Sequence, residues 1–432
     1  MSRVPLRVAV LGAGIVGLEV IRVLTDDADR LTAADGAPLR LVGVAVRDLD
    51  RATASIAADL LTDAPAHLVA SPEVDILVEV MGGDEPARTL TAAALGAGKP
   101  VVSANKHVIA HHGAELEAIA RRTGAAFRFE AAVGGGTPIL GPLATELAAD
   151  RIDAVRGIVN GTTNHILTAM TDHGQPYAFV LAGAQAAGYA EADPTGDVEG
   201  DDAVNKLVIL ARLAFGSWLD PTGIERNPPT VAGVGRPGIT GVQPDEPKAA
   251  AAVGRTLKLI AAARRRDDGS IRAAVLPTAV PSDGPLGRTS GVQNRIEVDA
   301  QPVGRVAFVG PGAGGPATSS AVLGDLIAIA RDRGSTWAGL PLAEAALNHD
   351  AARHDDVAGR HDGAARRHAG AADDQPQRRF FATTLPEQLI RDQVEIETAR
   401  GGGFITASAS LAELRAGLAA AGVDATLYPV ED

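Results

Sequence analysis

The chain contains no cysteine. That excludes disulfides, thiolate metal sites and a cysteine nucleophile, and it suits a reducing compartment. Aromatic residues make up 3% of the 432 positions, so the core has to be built from Ala, Val, Leu and Ile. Basic residues are outnumbered, 40 Lys and Arg against 53 Asp and Glu, for a net charge of -13. This argues against nucleic acid as a partner, because neutralising phosphates needs a basic face. No charge-free apolar run is long enough to cross a bilayer. The segment Met1–Pro5 leads straight into a strand-like stretch, without the apolar region and cleavage site of a signal peptide. The expectation is a cytoplasmic protein with no membrane or nucleic-acid partner.

What is present is a chain long enough for two or three domains, each able to bury a core. Apolar segments at 6–11, 39–46, 74–80, 100–103 and 126–131 read as strands, and the stretches from 15 to about 24, 86–97 and 107–123 read as helices. This alternation predicts an open, doubly wound parallel sheet of Rossmann type. From about 134 to 309 the pattern changes to α+β. Helices fall near 180–187 and 203–215, strands near 273–276 and 295–298, and a Pro/Gly-rich loop covers 227–247. Thr137-Pro138 after three glycines reads as an N-cap with proline at the first helical position. A glycine-rich segment at 310–315 leads to a helix at 321–331. Between 348 and 379 Val357 is the sole large aliphatic residue, so ordering entropy has little burial to offset it and the stretch reads as a disordered linker. Its composition also resembles an out-of-frame reading of a GC-rich gene. A strand–helix–strand pattern returns at 404–430.

Four segments carry chemistry. Gly12-x-Gly14-x-x-Gly17 follows a strand and opens a helix. There the first glycine makes the tight turn, the second lets backbone approach a pyrophosphate, and the third lets helix pack on strand. Arg47 ends the second strand, where an arginine can pair with a ribose 2′-phosphate. Asp48 follows it, which leaves the cofactor preference open, as does the alternative of a solvated surface charge. Ser103-Ala104-Asn105-Lys106 ends the fourth strand, on the ligand side of such sheets. Lys106 there either holds a ligand, moves a proton or is an exposed lysine. Glu130 to Thr137 lacks the Lys-Ser/Thr of a phosphate-binding loop, and by spacing alone a domain hinge is a better reading than a carbonyl cage for a monovalent cation. The stretch 188–206 is the richest, with six carboxylates followed by Lys206. At i, i+4 Asp202 and Lys206 share a helix face. A helix-dipole acid with a surface ion pair is the plain alternative, but it leaves Glu191 and Asp193 unexplained. A calcium loop fails on spacing. Buried beside a cofactor, such a lysine can serve as acid or base, and the acids can hold an ammonium group. His107, His111 and His112 share a helix but lack the glutamate and third ligand of a zinc site. No Gly-x-Ser-x-Gly elbow is present.

Taken together, these segments resemble the homoserine dehydrogenase family. The carriers, in chain order, are LGAGIVG, VEVMGG, GKPVVSANK, EAAVGGGTPI, IVNGTTNHIL, GYAEADPTGDVEGDDAVNKL and GPGAGGPATSSAVLGDL, covering roughly residues 5–335. NGTTN and GYAEADPT are the most specific. The resemblance implies reversible NAD(P)-dependent interconversion of L-homoserine and L-aspartate 4-semialdehyde, on the route to threonine, methionine and isoleucine. It implies Lys206 as proton donor and acceptor, Lys106 as a second active-site lysine, Asp197 as a third active-site acid, and Glu191 and Asp202 as homoserine-binding acids. It implies cofactor contacts at Val16, Arg47, Lys106, Gly188 and Gly314, which Gly12, Gly14, Ile15, Gly17, Ser103 and Gly312 complete. Glu130, Val133, Gly135 and Thr137 fall on a sodium site made largely of backbone carbonyls, which moves the reading of that loop from hinge to cation site. A homodimer or homotetramer, joined through the central domain, is also implied. The resulting division is a nucleotide-binding domain at 1–132, completed by about 306–335, and a catalytic and dimerisation domain at 133–305. A disordered linker at 336–380 and a small α/β tail at 381–432, a degenerate or atypical regulatory module, follow. The chain departs from the family in two places. His165 stands where an aromatic residue is usual after NGTTN, and the Asp-x-Pro-Gly-Val segment of a regulatory ACT domain is missing. The competing reading is a nucleotide-binding regulatory protein of the same fold that has lost catalysis. The joint presence of Lys106, Glu191, Asp202 and Lys206 argues against it.

Overall fold

The computed structural model describes residues 4–28, 31, 37–337, 339–345 and 376–431. The chain divides into two compact units. One comprises Met1–Asp153, Val208–Pro221 and Val298–Ala346, the other Ala154–Leu207, Thr222–Glu297 and Leu347–Asp432. Of the linker expected at 348–379, residues 348–375 lie outside the described residues, and Arg379 at its end already belongs to a strand.

The first unit is built on six parallel strands: β1 (Leu6–Leu11), β2 (Leu39–Ala45), β3 (Leu61–Thr62), β4 (Ile76–Glu79), β5 (Val101–Ser103) and β6 (Phe127–Arg128). Their order is β3-β2-β1-β4-β5-β6. The chain reverses its winding direction between β1 and β4, which opens a crevice at the carboxyl end of β1. The strands are continuous apolar runs because both faces are covered; Val8, Ala9, Val10 and Leu11 are all fully buried. Helix α1 (Ile15–Asp26) buries Gly17, Val20, Ile21, Val23 and Leu24 on one face. The few aromatics are concentrated. Phe127, Phe129 and Trp337 pack with ring centroids 5.3 to 5.7 Å apart. Glu117 is a buried polar hub, accepting from Arg212 Nε and Nη2 at 2.9 and 2.6 Å and from Trp218 Nε1 at 2.8 Å.

In the second unit the neighbouring strands are, in order, Ile271–Pro281, Arg255–Arg265, β7 (Arg151–Ile158) and Gln293–Gln301. The strands expected at 273–276 and 295–298 are the middles of much longer ones. Arg255–Arg265 and β7 are not among the expected strands; in Arg255–Arg265 an Ala/Arg-rich run has helical propensity that sheet pairing overrides. The hairpin Gln293–Gln301/Gly304–Pro311 returns the chain to the first unit. The segment after residue 375 forms four strands in the order Ile396–Arg400, Gly403–Thr406, Arg379–Ala382 and Tyr428–Pro429. The helix Leu411–Ala420, opened by a Ser410/Glu413 capping box, packs with them over Phe381, Ile390 and Leu427. This module is tied to the rest of its unit by Leu427 N–H to Pro229 O, Val231 N–H to Ala425 O, and Tyr428 Oη to Glu246 Oε2 at 2.6 Å.

Two expected boundaries shift. The helix after the second glycine segment runs Gly315–Ala330, with Pro316 in its first turn, rather than starting at 321. Proline is at home there, since no partner exists for its missing N–H. Thr137 is not an N-cap. The helix Leu140–Ala144 starts later, and the carboxylate of Glu130 accepts from the N–H groups of Ile139, Leu140 and Gly141 at 2.7 to 2.9 Å.

Candidate functional site

In the first unit the turn after β1 is shaped by missing side chains. Gly12 has φ +104°, and a Cβ there would lie 2.8 Å from Val80 O. A Cβ on Gly17 would overlap Gly12 O, whereas above Gly14 there is open space within 4 Å. The three glycines thus play three different parts: turn, approach and packing. Gly14 is the N-cap of α1 and has no side chain, so the first N–H groups of α1 face the crevice. Ile15 beside them is 77% exposed. A second helix N-terminus joins the first. Gly314, at φ +109°, is the N-cap of Gly315–Ala330, and a Cβ on Gly315 would sit 3.0 Å from Ile15. Gly135 packs equally tightly on Gly312, with a Cβ there 2.7 Å from its carbonyl. The Gly12–Gly17 and Gly312–Gly315 segments therefore form one backbone-lined cradle that added Cβ atoms would fill, a fit for a dinucleotide pyrophosphate.

Arg47 and Asp48 are both exposed, two and three residues after β2, and the Asp48 carboxylate caps the next short helix by accepting from Arg51 N–H at 3.0 Å.

At the carboxyl end of β4 sits Glu79, fully buried. Its carboxylate accepts from Ser103 Oγ at 2.7 Å, Met81 N–H at 2.9 Å and Asn105 Nδ2 at 3.4 Å. Burial pushes this carboxyl above the usual range against those hydrogen bonds. Asn105 caps the helix Lys106–Thr123 through Val108 N–H and donates to Gly83 O at 2.8 Å. Ser103, Asn105 and the Met81–Gly83 turn are thereby pinned to one side chain, and Lys106 is the first residue of the helix they start. Sequence reading passed over Glu79; the signal was its place inside VEVMGG.

The loop 130–137 is held at both ends. Asp325 Oδ2 accepts from Glu130 N–H at 2.8 Å while its Oδ1 pairs with Arg128 at 2.7 Å. Thr137 Oγ1 is buried with no hydrogen-bond partner in the structure. Among the described residues no group of three His, Asp or Glu side chains is placed to hold a metal ion.

The second unit contains the acid-rich stretch, and the structure sorts its six carboxylates. Glu191 is exposed, on a loop whose carbonyls at 191 and 192 accept from Gln185 Nε2. Asp193 caps Thr195 N–H, and Asp201 pairs with Arg226 at the surface. Glu199 is half-buried. Asp197 and Asp202 converge. Lys206, 8% exposed, donates from Nζ to Asp202 Oδ2 and to Val159 O, both at 2.7 Å. The expected shared face of Asp202 and Lys206 is thus present, and it is buried, which rules out the surface ion pair. Asn160 Nδ2 bridges the acids, at 2.7 Å from Asp197 Oδ1 and 2.8 Å from Asp202 Oδ2. Burial, followed by the charge of Asp202, raises the Asp197 carboxyl above its ordinary range. Asn160 was also missed in sequence, although NGTTN contains it. Gly188, at φ +76°, ends the helix Tyr177–Ala186, and the Tyr189 ring that follows packs on His165 with centroids 4.9 Å apart. The histidine therefore fills the aromatic position after NGTTN. Lys106 and Lys206 belong to different units.

Comparison with known proteins agrees with this geometry. Residues 12–130 match the homoserine dehydrogenase NAD binding domain, and residues 138–327 match the homoserine dehydrogenase family. The chain is 43% identical to homoserine dehydrogenase of Corynebacterium glutamicum over 78% of this chain and 76% of that protein. It is 47% identical to that of Mycobacterium tuberculosis over 76% and 73% respectively. Among solved structures, a homoserine dehydrogenase from Thiobacillus denitrificans superposes with a TM-score of 0.84 at 31% identity, covering 99% of this chain and 98% of that one. A hyperthermophilic archaeal homoserine dehydrogenase in complex with NADPH superposes with a TM-score of 0.63 at 27% identity, over 76% and 98%. With both halves of the family pattern present, and the glycine cradle and the lysine–carboxylate array intact, the chain belongs to the homoserine dehydrogenase family, NAD(P)-dependent oxidoreductases that interconvert L-homoserine and L-aspartate 4-semialdehyde.

Proposed function

We propose that Lys206 is the acid/base of this reaction, that Glu191 and Asp202 hold the substrate ammonium group, and that Lys106 and Asp197 complete the catalytic set. The observation that carries this reading is the buried placement of Lys206 Nζ between Asp202 Oδ2 and Val159 O. When bound, the nicotinamide supplies the hydride. The chain supplies the rest. Reduction of the aldehyde leaves oxygen in need of a proton, and a lysine held in one orientation by a carboxylate and a carbonyl delivers it. In the reverse direction the same amine accepts it.

The cofactor residues are Gly12, Gly14, Ile15, Val16, Gly17, Arg47, Ser103, Lys106, Gly188, Gly312 and Gly314. NADP(H) is the preferred form, because Asp48 is committed to a helix cap while Arg47 is exposed for a 2′-phosphate. A monovalent cation, sodium, is held by Glu130, Val133, Gly135 and Thr137. The buried, unpartnered Thr137 Oγ1 supports this. The Glu130 carboxylate is taken up by three N–H donors, so this residue offers its carbonyl. A cytoplasmic homodimer or homotetramer working in threonine, methionine and isoleucine biosynthesis completes the proposal. The deciding experiment follows NADPH and NADH oxidation with aspartate semialdehyde for the wild type and Lys206→Ala. Turnover by the wild type that survives intact in Lys206→Ala would overturn the assignment of the acid/base.

A further inference from the structure

The side chain of Asn160 makes four hydrogen bonds, and their directions fix its orientation. Oδ1 accepts from Thr163 N–H at 2.8 Å and from Thr163 Oγ1 at 3.0 Å, capping the helix Gly161–His173. The amide nitrogen must therefore face the other way, and both of its hydrogens point at carboxylates: Asp197 Oδ1 and Asp202 Oδ2. The residue is 5% exposed. An amide flip would set an oxygen against two carboxylates and an NH₂ against a helix N-terminus, so the arrangement has one stable state.

We propose that Asn160 is a positioning residue for the dehydrogenase reaction. Its amide ties Asp197 to Asp202 and holds the Asp202 carboxylate against Lys206, giving the proton-transferring amine a single orientation. The inference rests on the assignment of Lys206 as acid/base. Asparagine is the residue the position demands. A helix cap needs a short acceptor, and two neighbouring carboxylates need two donors that add no charge. Aspartate supplies the cap and no donors. Serine supplies the cap and a single hydroxyl hydrogen. Without the bridge, two acids in a buried site repel each other, and Asp202 Oδ2 loses a donor that helps define its direction.

Helix capping alone would also conserve the fold, so the test separates the two roles. Asn160→Asp and Asn160→Ser both keep the cap acceptor. The expected result is that kcat for homoserine oxidation falls about tenfold or more in each while KM for NADP+ is unchanged. In Asn160→Asp the limb of the pH profile that reports the base moves upward by about one unit, because a third carboxylate favours the ammonium form. If Asn160→Asp fails to fold, Asn160→Ser carries the kinetic test alone. Because the effect runs through Lys206, adding Asn160→Ser to Lys206→Ala should lower kcat no further. Wild-type kcat and pH profile in the folded variants, or fully additive losses in the double variant, would overturn the proposal and leave Asn160 as a cap. Wild-type kcat in Lys206→Ala would instead remove the acid/base assignment on which the proposal stands.

Discussion

Around Gly12–Gly17 the turn is shaped by bare backbone, whereas around Asn160 buried polar side chains gather. The first region works through absent atoms: Cβ groups at Gly12, Gly17 or Gly135 would run into carbonyls. The second works through charge, with Asp197 and Asp202 gathered on one amide and Lys206 donating to Asp202. A steric cradle fails by shape and is indifferent to pH. A buried polar array keeps its shape when one member changes and fails through proton affinity and orientation. Substitutions in the two regions should therefore leave different kinetic signatures, in cofactor KM for the cradle and in kcat and its pH dependence for the array.

The largest effect belongs to the array. Lys206→Ala should lower kcat by about 10²–10⁴-fold, the usual contribution of a placed general acid, with NADPH binding intact by fluorescence titration. Lys106→Ala is the control. If it abolished turnover while Lys206→Ala left kcat near normal, the two lysines would exchange roles. Next comes Arg47→Ala. A charge-assisted pair with a 2′-phosphate is worth about 1.5–3 kcal/mol, so KM for NADPH should rise roughly ten- to a hundredfold and KM for NADH hardly at all. Equal rises for both cofactors would remove Arg47 from the 2′-phosphate. Gly17→Ala should be smaller and blunter. Its Cβ meets Gly12 O, and overpacking of this kind costs about 1–3 kcal/mol. Both cofactors should weaken together, and kcat at saturation should hold. A preserved KM for NADPH would mean that the cradle yields more easily than its geometry implies.

The sequence disclosed these two regions unequally. The cradle was legible because its parts are local: a strand, three glycines and a helix within a dozen residues. The Asp202–Lys206 pair was legible for the same reason, being one helical turn. What pairs with them was not. Asn160 reaches Asp197 and Asp202 across 37 and 42 residues, and Glu79 gathers Ser103 and Asn105 from 24 and 26 residues away. Neither residue type announces burial by itself. Thr137-Pro138 imitated a helix start, while the capping group was Glu130, a carboxylate arriving from the preceding segment. The long strands Arg255–Arg265 and Ile271–Pro281 stayed hidden or were cut short because their register is set by each other and not by alternation within either one. Local patterns named the elements; contacts between distant segments decided which polar groups are buried.

A third region sharpens the comparison, because it carries a buried carboxyl outside the proposed catalytic set. Glu246 is 4% exposed, and its Oε2 accepts from Tyr428 Oη and Gln243 N–H, both at 2.6 Å. Burial raises its carboxyl to about 7, above the ordinary 4.5. The folded state therefore retains a proton that the unfolded chain has released between pH 4.5 and 7. The stabilisation is fully present below about 4.5 and is lost as pH rises through 7, amounting to about 3 kcal/mol at most. Glu246→Gln keeps an acceptor oxygen for Tyr428 and Gln243 but cannot ionise. Melting temperature should fall with rising pH between 5 and 7 in the wild type by a few degrees more than in Glu246→Gln, and at pH 8 the variant should be the more stable. Turnover at neutral pH should not change, since Glu246 lies outside the proposed catalytic set. Parallel melting curves for the two proteins across that window would show that the 376–431 module is held without help from this proton. A fall in kcat matching that of Asn160→Ser would show that the array extends to Glu246, and the contrast between charge used for chemistry and charge used for anchoring would have to be abandoned.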